Sequence, residues 1–109
     1  MTRIEARETL MQILFELDTT KAIHEEDAIS KGTEIINDRM SGNHISRCSA
    51  LLSNIISDLD NIDNTINESS AKWKTSRMPK VDLAIMRLAV GEMKYSDDTP
   101  DAVDRKSVV

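Results

Sequence analysis

The sequence predicts an all-α fold, a small bundle of about five helices. Apolar residues recur at three- and four-residue spacing along most of the 109-residue chain, which is typical of amphipathic helices. Only three glycines and two prolines are present, so the tight turns on which an all-β fold depends are scarce. With a single Phe, Trp and Tyr, the core has to be built from aliphatic side chains. The length is sufficient for one domain.

The first helix is predicted over residues 3–19. Thr2 and Glu5 have the spacing of a capping box, in which each side chain accepts a hydrogen bond from the other residue's backbone N–H. The apolar face of this helix consists of Leu10, Met11, Leu14, Phe15 and Leu17.

A second helix is predicted from about Glu25 to Met40, and Gly32 weakens it by roughly 1 kcal/mol relative to alanine. The third segment is one long helix or two; we favour a break near Asp60–Asn61, because Asp60 and Asp63 are good N-cap residues. The apolar stripe of this segment is interpreted as part of a bundle core, with a coiled-coil seam as the alternative. The positions beside the stripe hold Ser and Asn rather than the opposed charges of a coiled coil, which favours the bundle core. The stripe of this segment consists of Ile45, Cys48, Leu52, Ile55, Leu59, Ile62 and Ile66.

The last helix is predicted over about residues 79–95, with Pro79 in the first helical position, where its missing N–H costs nothing. The segment is apolar over most of its circumference, which predicts a central place in the bundle. The predicted inner face consists of Val81, Ala84, Ile85, Leu88 and Ala89, extended by Met86, Val90 and Met93.

Arg87 is a permanent charge within this apolar helix. The positions three and four residues away hold no acid, so a buried guanidinium needs a partner from elsewhere in the fold. Asp63 and Glu92 are the candidates. We expect a structural ion pair, with direct RNA contact as the alternative.

Charge is unevenly distributed along the chain. The formal net charge is −5, which excludes a protein that attracts polyanions over its whole surface. Residues 72–87, however, contain five basic residues and one acid. Contact with phosphate groups is one interpretation of this segment, and a solvated surface is the other. The candidate residues are Lys72, Lys74, Arg77 and Lys80.

Two stretches together resemble the NusB family. ARETLMQILF is similar to the family's A-R-x-x-x-x-Q-x-L-aromatic opening, and VDLAIMRLAVGEM followed by DDTP is similar to its V-D-x-A-I-L-R helix and acidic-Pro turn. The resemblance runs in register from Arg3 to Val103. It implies a domain over residues 1–103, with residues 104–109 as an unmatched tail.

The resemblance also implies a function. Family members are cytoplasmic, non-enzymatic RNA-binding proteins that bind boxA RNA together with NusE, a small-subunit ribosomal protein. In the transcription elongation complex they keep RNA polymerase from terminating early. The same fold occurs as the N-terminal domain of ribosomal-RNA cytosine methyltransferases, which leaves a related RNA-binding domain as an alternative.

Several residues match functional positions of the family. Arg3 and Arg7 match its basic RNA-binding segment, with a solvated helix end as the alternative. Gln12 and Phe15 match the Q-x-L-aromatic positions, although core packing is the more favoured role for Phe15. Asp82 matches an acidic position on the side that faces NusE; the alternative is a first-turn acid that complements the helix dipole.

The sequence departs from the family pattern at two places, and each departure leads to a structural prediction. Gly91 stands where the family has an aromatic residue, which predicts lost core volume. The family's two closing helices have no counterpart after Val103, which predicts an exposed apolar face on the first and last helices. Large exposed apolar faces commonly form contacts with another protein. Self-association as a homodimer is therefore the alternative function.

Other classes of function find no support in the sequence. No phosphate-binding glycine loop, dinucleotide fingerprint or nucleophile–base pair is present, and His24 and His44 lack zinc-site spacing. We therefore expect no enzyme, no cofactor and no metal. Cys48 is expected in the core. No apolar run approaches the ~20 residues that span a bilayer, so no membrane partner is expected.

Overall fold

The computed structural model describes residues 1–69 and 74–96, and all regular structure within them is helical. This confirms the predicted all-α class. Lys72 and the predicted tail, residues 104–109, lie outside the described residues. The elements are α1 (Arg3–Thr19), a 3₁₀ turn (Ala22–His24), α2 (Ala28–Arg39), α3 (Asn43–Ser57), α4 (Leu59–Ser69), a second 3₁₀ turn (Thr75–Arg77) and α5 (Lys80–Tyr95).

Helix α1 begins with the predicted capping box. The Glu5 N–H donates to Thr2 Oγ1 over 3.1 Å, and the Thr2 N–H donates to Glu5 Oε1 over 2.8 Å. Two of the N–H groups that a helix start leaves without intrahelical partners are thereby satisfied. The predicted bounds of this helix are confirmed.

The predicted break in the third segment exists, but it lies at Asp58 rather than at Asp60–Asn61. The Asp58 carbonyl accepts the Ile62 N–H over 2.9 Å, and its carboxylate accepts from the Asn61 amide over 2.7 Å. Asp60 and Asp63 lie inside α4, so the N-cap role predicted for them was wrong.

Helix α5 packs against α1, α3 and α4 and is central, as predicted. It begins at Lys80, with Pro79 in the N-cap position rather than the first helical one. Its buried residues are Leu83, Ala84, Arg87, Leu88 and Gly91. The inward position predicted for Val81, Ile85 and Met93 was wrong, because the three packed neighbours leave one side of α5 uncovered.

Helix α3 packs closely onto two glycines. A Cβ atom on Gly32 of α2 would lie 2.3 Å from Leu52 Cδ2, and one on Gly91 of α5 would lie 2.4 Å from Ile55 Cγ1. Both distances are shorter than van der Waals contact, so these positions exclude a larger side chain. The core volume expected to be lost at Gly91 is therefore filled by Ile55.

The remaining core is aliphatic. Cys48 is buried in it, as predicted, with 4% of its surface exposed. Among the described residues, no helix is both long and apolar enough to cross a bilayer.

Candidate nucleic-acid interface

Arg87 lies at the centre of a buried ionic network that joins three helices. Its Nε and Nη2 donate to the two carboxylate oxygens of Asp63 on α4, over 2.9 and 2.8 Å. Only 3% of Arg87 is exposed, so this bidentate pair supplies the compensation that a buried charge requires. Glu92, the other expected partner, does not contact Arg87. It lies five residues along α5, on another face of the helix, where it pairs with Arg7.

Asp18 connects a third helix, α1, to the network. The sequence analysis did not predict this residue as a partner of Arg87. Asp18 is 4% exposed, and its Oδ2 lies 3.3 Å from Arg87 Nη1, an ionic contact without hydrogen-bond geometry. Lys80 Nζ donates to Asp18 Oδ1 over 3.1 Å. The available signal was the Leu10–Leu14 row of α1, because a step of four residues continues that core-facing row to Asp18.

Helices α1 and α5 run antiparallel, and an ionic contact lies near each end of the pair. At one end Arg7 donates to both oxygens of Glu92, over 2.6 and 2.8 Å. At the other end Asp18 meets Lys80. The stretch from Arg7 to Asp18 measures about 16 Å along the helix axis at about 1.5 Å per residue.

This arrangement separates the predicted RNA-binding residues. Arg3 and Arg7 lie in the first turns of α1, and both are exposed. Gln12 is exposed as well, but it lies about 180° around the helix from Arg3 at about 100° per residue. Phe15 is partly buried and packs against the core. The family-matched residues of α1 therefore do not form one continuous patch.

Arg3 and Arg7 form a first basic group, and a second basic group lies at the opposite end of the α1–α5 pair. Lys74, Arg77 and Lys80 are exposed around the short 3₁₀ turn that precedes α5. Lys74 Nζ donates to the Asn67 carbonyl over 3.3 Å, which ties it to the end of α4. Asp82 is exposed in the first turn of α5, next to this group in the chain.

A cleft of about 340 Å³ opens where the start of α1, the middle of α3 and the end of α5 meet. Arg3, Arg7 and Arg47 line it, and Glu92 is the one acid among the described residues of its lining. The apolar part of its lining includes Leu10, Cys48 and Leu51, while Asn54 and Tyr95 add an amide and an aromatic ring.

Hydrogen bonds position two of the side chains that line this cleft. His44 Nε2 donates to the Met1 carbonyl over 2.9 Å, so its Nδ1 accepts from Arg47 Nη2 over 2.5 Å. This pair of contacts requires the neutral imidazole with its proton on Nε2. The Tyr95 hydroxyl donates to Asp58 Oδ2 over 2.6 Å, which holds the ring.

Asp58 also forms an ion pair with Lys94 and accepts a hydrogen bond from Asn61. It therefore joins the α3–α4 corner to the end of α5. The hydrogen bonds from Lys94, Tyr95 and Asn61 favour the ionised carboxylate and lower the pKa of Asp58 to about 2. The same contact with Asp58 raises the pKa of Lys94. Sequence reasoning did not identify this cluster, since nothing in the local pattern brings residue 58 to residue 95.

An apolar surface lies along the uncovered side of the α1–α5 pair. Ile4 of α1 is 70% exposed, and on α5 Val81 and Ile85 are 49% and 45% exposed. Ile4, Met11 and Ile85 line one shallow groove between the two helices. This is the face that the sequence predicted to be exposed.

The fold and these surfaces define a small all-helical protein with one group of basic residues near each end of the α1–α5 pair. Comparison with known proteins gives the family. The profile of the NusB family matches residues 4–105, so the chain belongs to the NusB family. The arginine-containing helix that suggested the family in the sequence is α5.

Several relatives carry the name transcription antitermination protein NusB. That of Agathobacter rectalis is 37% identical over all of this chain and 82% of its own length. That of Natranaerobius thermophilus is 33% identical over all of the chain and 78% of its length. That of Lysinibacillus sphaericus is 32% identical over 94% of the chain and 75% of its length. No solved structure matches the chain.

Proposed function

We propose that this chain is a transcription antitermination factor that binds boxA-type RNA together with NusE, and that it acts as a non-enzymatic, cytoplasmic component of the transcription elongation complex. The observation that carries the proposal is the match to the NusB family over residues 4–105. The name shared by its relatives, transcription antitermination protein, supports the same conclusion.

The proposed RNA contacts begin at the start of α1, with Arg3 and Arg7. Both are exposed, and Arg7 retains 61% of its side-chain exposure despite its pair with Glu92. Since Glu92 accepts from Nε and from one N–H of Nη2, contact between Arg7 and a phosphate has to use Nη1 or the second N–H of Nη2. The further proposed contacts are Gln12, Phe15, Lys72, Lys74, Arg77 and Lys80.

We assign the NusE contact to Asp82. This carboxylate is exposed at the start of α5, close in the chain to Lys80. A protein partner bound there would lie beside the second basic group, so that one RNA strand could contact both proteins. Family resemblance is the support for this contact.

The test is a transcription assay with a terminator placed downstream of a boxA leader. Purified chain and NusE are added to RNA polymerase, and read-through is compared with that on a template whose boxA sequence is scrambled. The proposal predicts increased read-through on the boxA template alone. Equal read-through on both templates would contradict it.

Self-association through the α1–α5 face is a second candidate, favoured by the exposure of Ile4, Val81 and Ile85. Apolar patches of this kind often mark contacts between proteins. Light scattering at high micromolar concentration should then show a dimer that Ile85→Glu dissociates. Ser30→Glu, which adds the same charge on the exposed side of α2, is the control. A monomer under these conditions would reject the candidate.

A further inference from the structure

We propose that Asp18 is a positioning residue for RNA binding, which holds the ammonium group of Lys80 in place as a contact for one backbone phosphate. This inference rests on the proposed RNA-binding function. It adds a buried residue of α1 that does not itself touch the RNA. Lys80 is the first residue of α5 and belongs to the second basic group.

The place of Asp18 within its own helix does not explain why an acid is found there. Asp18 lies in the last turn of α1, at the negative end of the helix dipole, where a carboxylate is disfavoured. It is also 4% exposed, so a carboxylate there has lost most of its contact with water. Cations from another helix must therefore account for this residue.

Of the two cations near Asp18, Lys80 is the one that depends on it for a partner. Arg87 already has a complete bidentate partner in Asp63, and its Nη1 meets Asp18 Oδ2 without hydrogen-bond geometry. Lys80 Nζ, in contrast, donates to Asp18 Oδ1 over 3.1 Å. Within the described part of the chain, this is the one hydrogen bond that the Asp18 side chain makes.

The contact fixes Lys80 without removing it from solvent. The Lys80 side chain is 53% exposed and that of Asp18 is 4% exposed, so a buried partner anchors an accessible cation. An ammonium group has three N–H donors, and Asp18 accepts one of them, which leaves two for phosphate oxygens. A lysine side chain has large rotamer entropy, and a contact that orders it before the RNA arrives lowers the cost of binding.

The direction of the effect distinguishes positioning from simple electrostatics. Asp18→Asn raises the net charge of the protein by one unit, which on charge alone strengthens the attraction to RNA. Loss of the anchor acts in the opposite direction, and we expect Asp18→Asn to weaken binding about two- to tenfold, as ordering one flexible side chain would. Asp38→Asn, the same change at an exposed position of α2, should bind no more weakly than wild type.

The experiment measures binding of fluorescently labelled boxA RNA, and of a scrambled RNA of equal length, by anisotropy at several salt concentrations. Lys80→Met should weaken binding and lower the slope of log affinity against log salt by about one. Lys31→Met, which removes an exposed lysine of α2, should leave the slope unchanged. In the Lys80→Met background, Asp18→Asn should no longer weaken binding, because the side chain that it positions is absent.

A measurement on the unaltered protein tests the same point without a buried substitution. Carbon-13 relaxation of the lysine ε-methylene groups reports their mobility on the picosecond to nanosecond timescale. The ε-methylene group of Lys80 should be more rigid than that of Lys21, an exposed lysine in the turn after α1, before any RNA is added. Equal mobility of the two groups would overturn the inference, whether or not Asp18→Asn folds.

The outcomes separate this inference from the proposed function. If the wild-type protein prefers boxA RNA but Lys80→Met keeps its salt slope, or Asp18→Asn binds at least as tightly as wild type, the inference fails and the function stands. If both RNAs bind equally but Asp18→Asn weakens both through Lys80, the inference stands and the boxA function fails. If neither RNA binds to protein that circular dichroism shows to be folded, both are overturned.

Discussion

Arg87 illustrates at the residue scale what a charge within an apolar helix does. Its guanidinium bridges Asp63 on α4 and Asp18 on α1, and all of these groups are largely removed from water. Each charge is tolerable only because the others are present. The residue therefore ties three helices together in one arrangement.

We predict that Arg87→Met destabilises the fold by about 3 kcal/mol, because it leaves two carboxylates buried without their shared cation. Chemical denaturation followed by circular dichroism measures the change. The affinity of the folded fraction for RNA should be unaltered.

Lys31→Met is the control for Arg87→Met, since it removes a cation from an exposed pair with Asp27 that contributes little. A loss no larger than that of the control would show that Arg87 is solvated in solution. A large loss of RNA affinity with unchanged stability would instead assign Arg87 to the RNA surface.

Asp58 gives a prediction about pH. Its pKa is lowered from 3.8 to about 2, so the folded state binds its proton more weakly than the unfolded state does. The stabilisation is therefore complete above about pH 4 and is lost as the pH falls towards 2. The melting temperature of Asp58→Asn should lie below that of wild type at pH 6, and the two should converge in acid.

Lys94→Met provides the matched background for the Asp58 experiment, because Lys94 is the main cause of the lowered pKa. In that background, the pH-dependent difference in melting temperature that Asp58→Asn produces should shrink. A difference that stays constant from pH 6 to pH 2 in the otherwise wild-type protein would contradict the assignment to Asp58.

At the scale of elements, the packing of α3 depends on glycines that intrinsic helix propensity disfavours. The sequence suggested that Gly32 weakens its helix and that Gly91 leaves a gap. In the fold, Leu52 and Ile55 occupy the space that larger side chains would fill. Helix propensity is a local property, whereas the approach of a second helix is a tertiary one, so the sequence alone could not separate the two roles.

We predict that Gly91→Ala destabilises the bundle by about 1–2 kcal/mol, although alanine is the better helix former. The added methyl group would lie 2.4 Å from Ile55 Cγ1, an atom that is not the free end of its side chain. Gly32→Ala should cost less, because it meets the terminal Cδ2 of Leu52, which can rotate.

Ile55→Ala tests whether this overlap is the cause. Equilibrium unfolding of the two single variants and of the double variant gives a coupling energy. The double variant should be more stable than the sum of the single changes predicts. Additive losses would show that Gly91 and Ile55 do not compete for the same space.

At the scale of the whole molecule, the sequence predicted most of the fold and less of the surface. Helical periodicity and the capping box placed α1 correctly because both are local signals. An exposed apolar face on α1 and α5 was predicted, but Val81 and Ile85 were placed inward, since they satisfy the same apolar pattern as Leu88. The cleft combines residues from three helices, and no local spacing reveals which distant residues meet.

The antiparallel α1–α5 pair organises the proposed surface. Arg3, Arg7 and Arg47 lie by the cleft at one end, and Lys74, Arg77 and Lys80 lie at the other. With few cationic groups at either end, RNA binding should depend on a small number of phosphate contacts and weaken with salt accordingly. The proposed function therefore requires no basic character of the whole protein.

The most direct test of the proposed RNA-binding function is a titration of the chain into labelled boxA-type RNA, with and without NusE. A scrambled RNA of equal length and charge is titrated in parallel, and circular dichroism establishes that the protein is folded. We predict tighter binding to the boxA-type RNA, strengthened by NusE. Equal binding to both RNAs, unchanged by NusE, would contradict it.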